Sequence, residues 1–220
     1  MYLVKTPWWL KAFYADYVWH IQTDTKTIYL TFDDGPHETA TPFVLDQLKQ
    51  YNAKASFFCI GKNVTTYPAI YQRILTEGHA VGNHTQNHLN GWKTNDDAYL
   101  KDIATAATVI DSHLFRPPYG RIRKSQANGL KYQKENSKFQ NPESQIINHK
   151  FQVIMWDVLS GDFDTAISPD KCLSNVLQHT KAGSIVVFHD STKAWERMSF
   201  ALPKVLEHFS KMGFAFKAID

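Results

Sequence analysis

Cysteine is scarce in this 220-residue chain, and its two copies, Cys59 and Cys172, both fall inside apolar periodic segments. They read as buried thiols rather than a disulfide framework, which leaves the redox compartment open. An excess of one charge is also lacking. The formal net charge is only +3, and Lys and Arg are scattered, so nucleic-acid binding has no footprint. No apolar run is long enough to span a bilayer. The stretch from Met1 to Tyr14 is basic and aromatic, yet it has neither the uninterrupted apolar region nor the small-residue cleavage site of a signal peptide. It could anchor at a membrane surface through Trp8, Trp9, Phe13 and its lysines, or pack as an aromatic segment over the open end of the domain. Its short apolar stripe favours the second reading. The expected location is therefore cytoplasmic or membrane-peripheral.

What is present describes one globular domain: 43% hydrophobic and 14% aromatic residues over a length sufficient for a sizeable core. Apolar runs that read as strands recur at 27–32, 55–60, 80–83, 115–118, 152–158, 184–189 and 214–219. Helical patterns lie between most of them. Thr41-Pro42 offers an N-cap and a first-turn proline, with Val44, Leu45 and Leu48 on one face. Pro68 to Glu77 places Ile70, Ile74 and Leu75 inward, with Gly78 just past its end. Thr94 caps a stripe through Leu100, Ile103, Ala107 and Ile110. Ser168-Pro169 opens a fourth helix, and Leu202 to Met212 makes a fifth. Strand-helix alternation argues a parallel sheet, either open or closed into an α/β barrel. The barrel is favoured, because it gathers strand ends on one face. Residues 131–150 break the rhythm with Lys, Gln, Asn and Ser, and read as an inserted surface loop in preference to a substrate-binding arm.

Polar chemistry collects at those strand ends. Asp33 and Asp34 stand where Ile28-Tyr29-Leu30 gives way to Gly35-Pro36. Such a pair needs a cation or a reaction. His84 and His88 offer two imidazoles at i and i+4, a spacing that puts both rings on one side of a helical turn. One carboxylate with two imidazoles makes a metal triad. Arg116 to Gly120, Asp157 to Asp162 and His189-Asp190 add ionisable groups at three further termini. A barrel would bring all of them into one site. Taken singly the motifs have blander readings: an Asp-rich turn, a satisfied histidine pair, a surface ion pair at Arg116. Trp156 could line a sugar platform or fill core, Asp157 could compete with Asp162 for His189, and Trp92 could stack on a sugar or fold back onto its own barrel.

Together, Thr31-Phe32-Asp33-Asp34-Gly35-Pro36, His84-Thr85-Gln86-Asn87-His88, Arg116-Pro117-Pro118-Tyr119-Gly120, Asp162-Phe163 and Val187-Phe188-His189 resemble the motifs of the polysaccharide deacetylases, carbohydrate esterase family 4 with the nodulation-protein-B homology domain. They run in family order from about Thr27 to the C-terminus. The resemblance implies a single-domain α/β fold, a distorted (β/α) barrel of seven or eight strands. Residues 1–22 would form an N-terminal aromatic segment and residues 23–220 the catalytic domain. It also implies metal-dependent hydrolysis of an acetyl group on a sugar.

By this resemblance Asp34, His84 and His88 hold a divalent ion. Two nitrogens and one oxygen with open positions suit Zn²⁺, although Co²⁺, Ni²⁺ or Mn²⁺ could occupy such a site. Asp33 matches the general base, fixed by Arg116. The Tyr119 backbone N–H would stabilise the oxyanion, and His189, oriented by Asp162, would protonate the leaving amine. Phe163 replaces a frequent tryptophan and Val187 a frequent leucine; both keep an apolar wall and bear on the shape of the acetyl pocket. The expected partner is an acetylated oligo- or polysaccharide of the N-acetylglucosamine type, as in chitin or peptidoglycan. An acetyl-xylan-type esterase and a catalytically silent carbohydrate-binding barrel are the competing functions. Without a secretion signal, a cell-envelope glycan poses a topological problem that an internal or precursor saccharide avoids.

Overall fold

A computed structural model describes residues 2–131 and 151–220. Among them, the strands are β1 (Thr27–Asp33), β2 (Ser56–Cys59), β3 (Ala80–Asn83), β4 (Leu114–Phe115), β5 (Gln152–Val153), β6 (Val158–Leu159), β7 (Ile185–His189) and β8 (Ala215–Phe216). The helices are α1 (Trp8–Phe13), α2 (Ala40–Gln50), α3 (Gly61–Thr66), α4 (Pro68–Thr76), α5 (Asp96–Ala107), α6 (Lys124–Lys131), α7 (Pro169–His179) and α8 (Trp195–Lys211). The strands run parallel in the order β5-β4-β3-β2-β1-β7-β6, and β8 pairs with the start of β1. Every residue of β2 is buried, as is nearly all of β1, because a parallel sheet with helices outside has no wet face. Ile28, Leu30 and Phe32 join Val44, Leu45, Leu48, Leu202, Val205 and Leu206 in the largest apolar cluster. The alternate residues of β1, Thr31 and Asp33, are also buried and both bond Arg116.

The sheet curls. β5 and β6 lie at opposite edges of the strand order, yet only residues 154–157 separate them. Five Cα steps reach roughly 18 Å, so the two edges come close enough to nearly close a barrel. The chain before β1 fills the seam. Val18 gives its N–H to Val153 O (2.9 Å) and accepts from Met155 N–H (2.7 Å). Val4 accepts from Leu159 N–H (2.8 Å), and Thr6 N–H reaches Asp157 O (3.0 Å). Asp157 has no exposed side-chain surface and takes Lys5 Nζ at 2.5 Å, Ser184 Oγ at 2.7 Å and the Lys11 ammonium. Leu10, Tyr14, Tyr17 and Trp19 pack against Tyr99, Ile103 and Phe115, while Trp8, Trp9 and Phe13 stand exposed. No helix among the described residues is long and apolar enough to cross a membrane.

Several elements differ from the sequence expectations. The single strand at 152–158 is two, because the chain between them crosses the seam and turns the Ile154 and Met155 carbonyls to Arg116 instead of a ladder. The strand at 115–118 ends at Phe115, since Pro117 and Pro118 have no N–H to donate. Thr41 lies inside α2 rather than capping it, its hydroxyl on Asp190. Asn95, not Thr94, caps α5, accepting from Ala98 N–H at 2.8 Å. In α4 only Ile74 is fully buried, and Leu75 faces out. The last helix begins at Trp195 and passes through Pro203, because Met198, Ala201, Leu202, Val205 and Phe209 make one continuous buried face. Ser168 caps α7 as expected, and Cys59 and Cys172 are buried free thiols. The expected insertion at 131–150 lies outside the described residues beyond Lys131.

Candidate active site

Strand periodicity builds the first half of the site. Thr31 and Asp33 share one face of β1, and that face points into the barrel at Arg116, whose side chain is wholly buried. Arg116 Nη1 donates to Thr31 Oγ1 (2.7 Å) and Asp33 Oδ1 (2.6 Å). Nε reaches Ile154 O (3.1 Å), Nη2 reaches Met155 O (3.0 Å), and the guanidinium lies 4.0 Å from the Phe58 ring centroid. Burial lowers the Arg116 pKa from its ordinary value, with the Asp33 charge and hydrogen bond opposing. Asp33 is thus held as one half of a desolvated ion pair with a single orientation.

Asp34 follows in the left-handed region at φ 84°, which turns its carboxylate away from Arg116 and toward the histidines. Its Oδ1 sits 3.2 Å from His88 Nε2 and 3.7 Å from His84 Nε2, and this buried oxygen has no hydrogen bond of acceptable geometry. The ligand atoms of Asp34, His84 and His88 all lie within 4.8 Å of one another. His84 Nδ1 is 2.7 Å from Arg116 O; a carbonyl only accepts, so Nδ1 carries the proton and Nε2 keeps its lone pair toward Asp34. Burial lowers the His84 pKa to about 4, outweighing the attraction of Asp33 and Asp34, so the imidazole is neutral and fit to ligate. Burial alone would raise Asp34, but the close approach of His88 and the neighbouring imidazoles of His189 and His84 hold it well below the usual carboxylate range. An orphaned carboxylate oxygen facing two imidazoles, one with its lone pair already aimed, fits a divalent cation.

The two histidines do not sit on a helical turn. They occupy the loop after β3, where Thr85 and His88 take φ values of 64° and 57°. A non-glycine residue there costs about 1 kcal/mol or more. The loop is over-determined in compensation. Asp102 on α5 accepts the N–H groups of Gln86 (2.9 Å) and Asn87 (3.0 Å) and the Asn87 side-chain amide (2.7 Å). Asn83 takes Thr85 N–H (2.8 Å).

His189 ends β7 opposite this group. Asp162 Oδ1 lies 2.7 Å from its Nδ1, and Oδ2 accepts its backbone N–H at 2.7 Å. Burial disfavours the imidazolium, but the Asp162 charge and hydrogen bond, joined by Asp34 and Asp33, raise the His189 pKa to about 10. Asp162, not Asp157, is therefore the partner; Asp157 is occupied by the lysines at the seam. Sequence reasoning named Asp190 but gave it no role. Its buried carboxylate accepts Gly35 N–H (3.0 Å) and the Thr41 hydroxyl, while its own N–H reaches Asp33 O (3.1 Å). A Cβ on Gly35 would lie 2.0 Å from Asp190 Oδ2, so this turn demands glycine. Burial, then Asp34, lifts the Asp190 pKa to about 8. Asp102 was missed as well. Only a buried acid on an otherwise apolar helix face could have signalled it.

Asp33, Asp34, His84, His88 and His189 line a cleft of about 730 Å³. Tyr119 (φ 61°) is exposed at its edge with its ring 4.7 Å from that of His88. The amides of Gly120 and Arg121 bond Pro117 O and Pro118 O. Leu159, Phe163, Val187 and Trp156 make an apolar side, and Phe163 meets the His189 ring edge-on at 5.2 Å. Trp156 does both things the sequence left open, lining the cleft while packing on the Phe58 and Ile154 cluster. Trp92 folds back, its indole N–H on Ile122 O (3.3 Å).

The sequence profile of the family described as polysaccharide deacetylase matches residues 20–134. A peptidoglycan-N-acetylglucosamine deacetylase of Bacillus cereus is 33% identical over 92% of this chain and 90% of its own length. A chitooligosaccharide deacetylase of Azorhizobium caulinodans is 30% identical over 77% of this chain and 76% of its own. Among solved structures, the Bc1960 peptidoglycan N-acetylglucosamine deacetylase, in complex with 4-naphthalen-1-yl-N-oxidanyl-benzamide, superposes with a TM-score of 0.81 at 30% identity, covering 97% of this chain and 95% of that one.

Proposed function

The chain belongs to the polysaccharide deacetylase family, and from that premise we propose that its cleft hydrolyses the N-acetyl group of N-acetylglucosamine-type glycans, releasing acetate and the free amino sugar. The observation that carries this reading is the convergence of three kinds of group in one cleft: the Asp34, His84 and His88 ligand atoms, the Asp33–Arg116 pair beside them and the His189–Asp162 pair. A divalent cation held by the first three, with Zn²⁺ the best match to two nitrogens and one oxygen, would supply Lewis acidity to the acetyl carbonyl and acidify water.

The remaining roles fall to this chain's own residues. Asp33, fixed by Arg116, takes a proton from the attacking water. The Tyr119 N–H, in the turn that the Gly120 and Arg121 amides close on Pro117 O and Pro118 O, would face the developing oxyanion; such a donor is typically worth about 3 kcal/mol of barrier. An amide anion is a very poor leaving group, so His189, with Nδ1–H committed to Asp162, gives the proton on its other nitrogen to the departing amine. The raised His189 pKa keeps that proton in place until it is needed. Phe163, Val187 and Leu159 form the wall against which the acetyl methyl packs.

Acetate release from N-acetylglucosamine oligomers and from acetylated xylan, with Zn²⁺, Co²⁺, Ni²⁺ or Mn²⁺ supplied in turn, tests the reading. Turnover on the amide substrates supports it. Turnover on xylan alone makes the protein an esterase, and stoichiometric metal with no acetate from either makes it a silent binding barrel. The proposal extends to peripheral membrane contact through Trp8, Trp9 and Phe13, which stand exposed on α1. Sedimentation with anionic vesicles, lost in Trp8→Ala/Trp9→Ala, is the expected result.

A further inference from the structure

Tyr2 lines the cleft together with Leu159, Phe163 and His189, and no step of the hydrolysis uses it. Its place is set by the strand edge that the chain before β1 extends. Lys5 pairs with Val158 across an antiparallel bridge, a register that brings Tyr2 level with Gly161, just past the end of β6. Val4 accepts from Leu159 N–H (2.8 Å), Thr6 Oγ1 donates to Trp156 O (2.8 Å), and Lys5 Nζ reaches Asp157 (2.5 Å). Glycine at 161, with φ 81°, leaves room for the tyrosine, since a Cβ there would lie 2.8 Å from the Tyr2 hydroxyl. That hydroxyl donates to Asp164 Oδ2 (3.0 Å), while Asp164 Oδ1 accepts Ala166 N–H (3.0 Å). Burial first, and then Asp164, raise the Tyr2 pKa to about 12, so the donor keeps its proton. Anchored in this way, the Tyr2 ring lies 5.0 Å from that of Phe163 at a tilt of 58°, and Phe163 meets the His189 ring edge-on at 5.2 Å. Three rings in series join the chain before β1 to the acid.

We infer that Tyr2 is a positioning residue: by backing Phe163 it holds the His189 imidazole in the orientation that delivers a proton to the leaving amine. This role rests on the deacetylase reading for its reaction and adds a residue from outside the barrel strands to it. Asp162 fixes His189 at Nδ1, but a ring pinned at one atom can still swing about that bond. The edge of Phe163 against its face stops the swing, provided that Phe163 itself cannot yield. Tyr2 supplies that backing, and the Asp164 bond keeps Tyr2 from turning away. The backbone of the loop has other support, since Arg197 Nε holds Asp162 O (2.7 Å) and Asn175 Nδ2 holds Ser160 O (3.0 Å). Loss of Tyr2 therefore disturbs the orientation of two rings and leaves the fold in place.

The test compares Tyr2→Ala with wild type on N-acetylglucosamine oligomers and on an activated aryl acetate. A misdirected acid slows the amide, whose leaving group must be protonated, and spares the ester, whose leaving group needs little. In Tyr2→Ala, kcat on the amide should fall on the order of 10-fold, short of the roughly 100-fold that a 1 Å misplacement can cost. The ester should stay within about two-fold of wild type, with bound metal unchanged. Equal slowing of both substrates, the mark of a general loosening, overturns the inference, and so does no slowing of either. In a Phe163→Ala background, where the ring that Tyr2 backs is gone, Tyr2→Ala should move the amide-to-ester ratio by less than about two-fold. A full 10-fold or so there means that Tyr2 does not act through Phe163, and overturns it too. Acetate released from the oligomers by wild type tests the deacetylase reading separately. Should neither substrate be turned over, the ¹³C–¹H resonances of His189, assigned by their loss in His189→Ala, still decide. They lie in the ring current of Phe163 and should shift in Tyr2→Ala, while those of His79, at the opposite end of the strands, stay in place and report an intact fold. An unmoved His189 resonance overturns the inference whatever the substrate.

Discussion

Replacing Arg116 by lysine keeps the charge and discards the geometry, so it isolates what the guanidinium does. Arg116 spends its planar fork on four acceptors: Thr31 Oγ1, Asp33 Oδ1, Ile154 O and Met155 O. A lysine ammonium drawn to Asp33 carries all its donors on one atom and cannot also span the two carbonyls on the far side. Ile154 and Met155 are buried, and each carbonyl that loses its donor there costs about 1–3 kcal/mol. Loss of the stacked contact with Phe58 adds about 0.5–2 kcal/mol. The expected destabilisation is therefore about 2.5–8 kcal/mol, a large share of the roughly 5–15 kcal/mol that holds a domain together. Urea unfolding followed by tryptophan fluorescence, with wild type and Arg116→Lys both metal-free, measures it. Activity should fall on the order of 100-fold, since Asp33 loses its fixed orientation. An Arg116→Lys protein with stability within about 1 kcal/mol of wild type would show that the two carbonyls find other donors and that the barrel interior is not organised around this side chain.

His88→Ala should reduce metal affinity by more than the roughly 10- to 100-fold typical of an outer partner while leaving circular dichroism unchanged; retention at wild-type affinity in equilibrium dialysis would remove His88 from the ligand set. His189→Ala should slow amide substrates by about 10²- to 10⁴-fold and activated esters far less, because their leaving groups need little protonation. Equal slowing of both would sink the acid role. His79 accepts Ala55 N–H at 3.2 Å, and burial, with the Lys54 charge, lowers its pKa from 6.5 to about 4. The neutral ring is the folded form, so its contribution is fully present above 6.5 and is lost as pH falls toward 4, on the order of 3 kcal/mol in all. His79→Asn, which keeps an acceptor and does not titrate, should flatten the acid side of the stability profile, and an unchanged slope between the two proteins would refute this.

The chemistry of the site was more legible than its scaffold. Asp33, Asp34, His84, His88, Arg116 and His189 each sit at or just past a strand end, and a parallel sheet that curls brings such ends together, so strand pattern and residue type were enough to gather them. What was not legible was how the loops hold them. The i, i+4 spacing of His84 and His88 suggested a helix, whereas two left-handed residues bring the rings together and Asp102, far along the chain, fixes them. The last helix read as Leu202 to Met212; the burial of Met198 and Ala201 before it starts α8 at Trp195 and carries it through Pro203. The run from Gln152 to Val158 looked like one strand, since local pattern says nothing of an arginine that claims two of its carbonyls.

The seam between β5 and β6 orders events in time. Lys5 meets a carboxylate 152 positions further along the chain, so the opening residues leave the ribosome long before anything exists for them to dock on. Strands that pair with near neighbours, such as β1 with β2 and β2 with β3, can form early, while the last edge closes only after Val158 and Leu159 have been made. Until then one row of backbone amides and the Asp157 carboxylate stand open. A nascent or partly unfolded chain is thus most exposed to sticking to its neighbours along that one line.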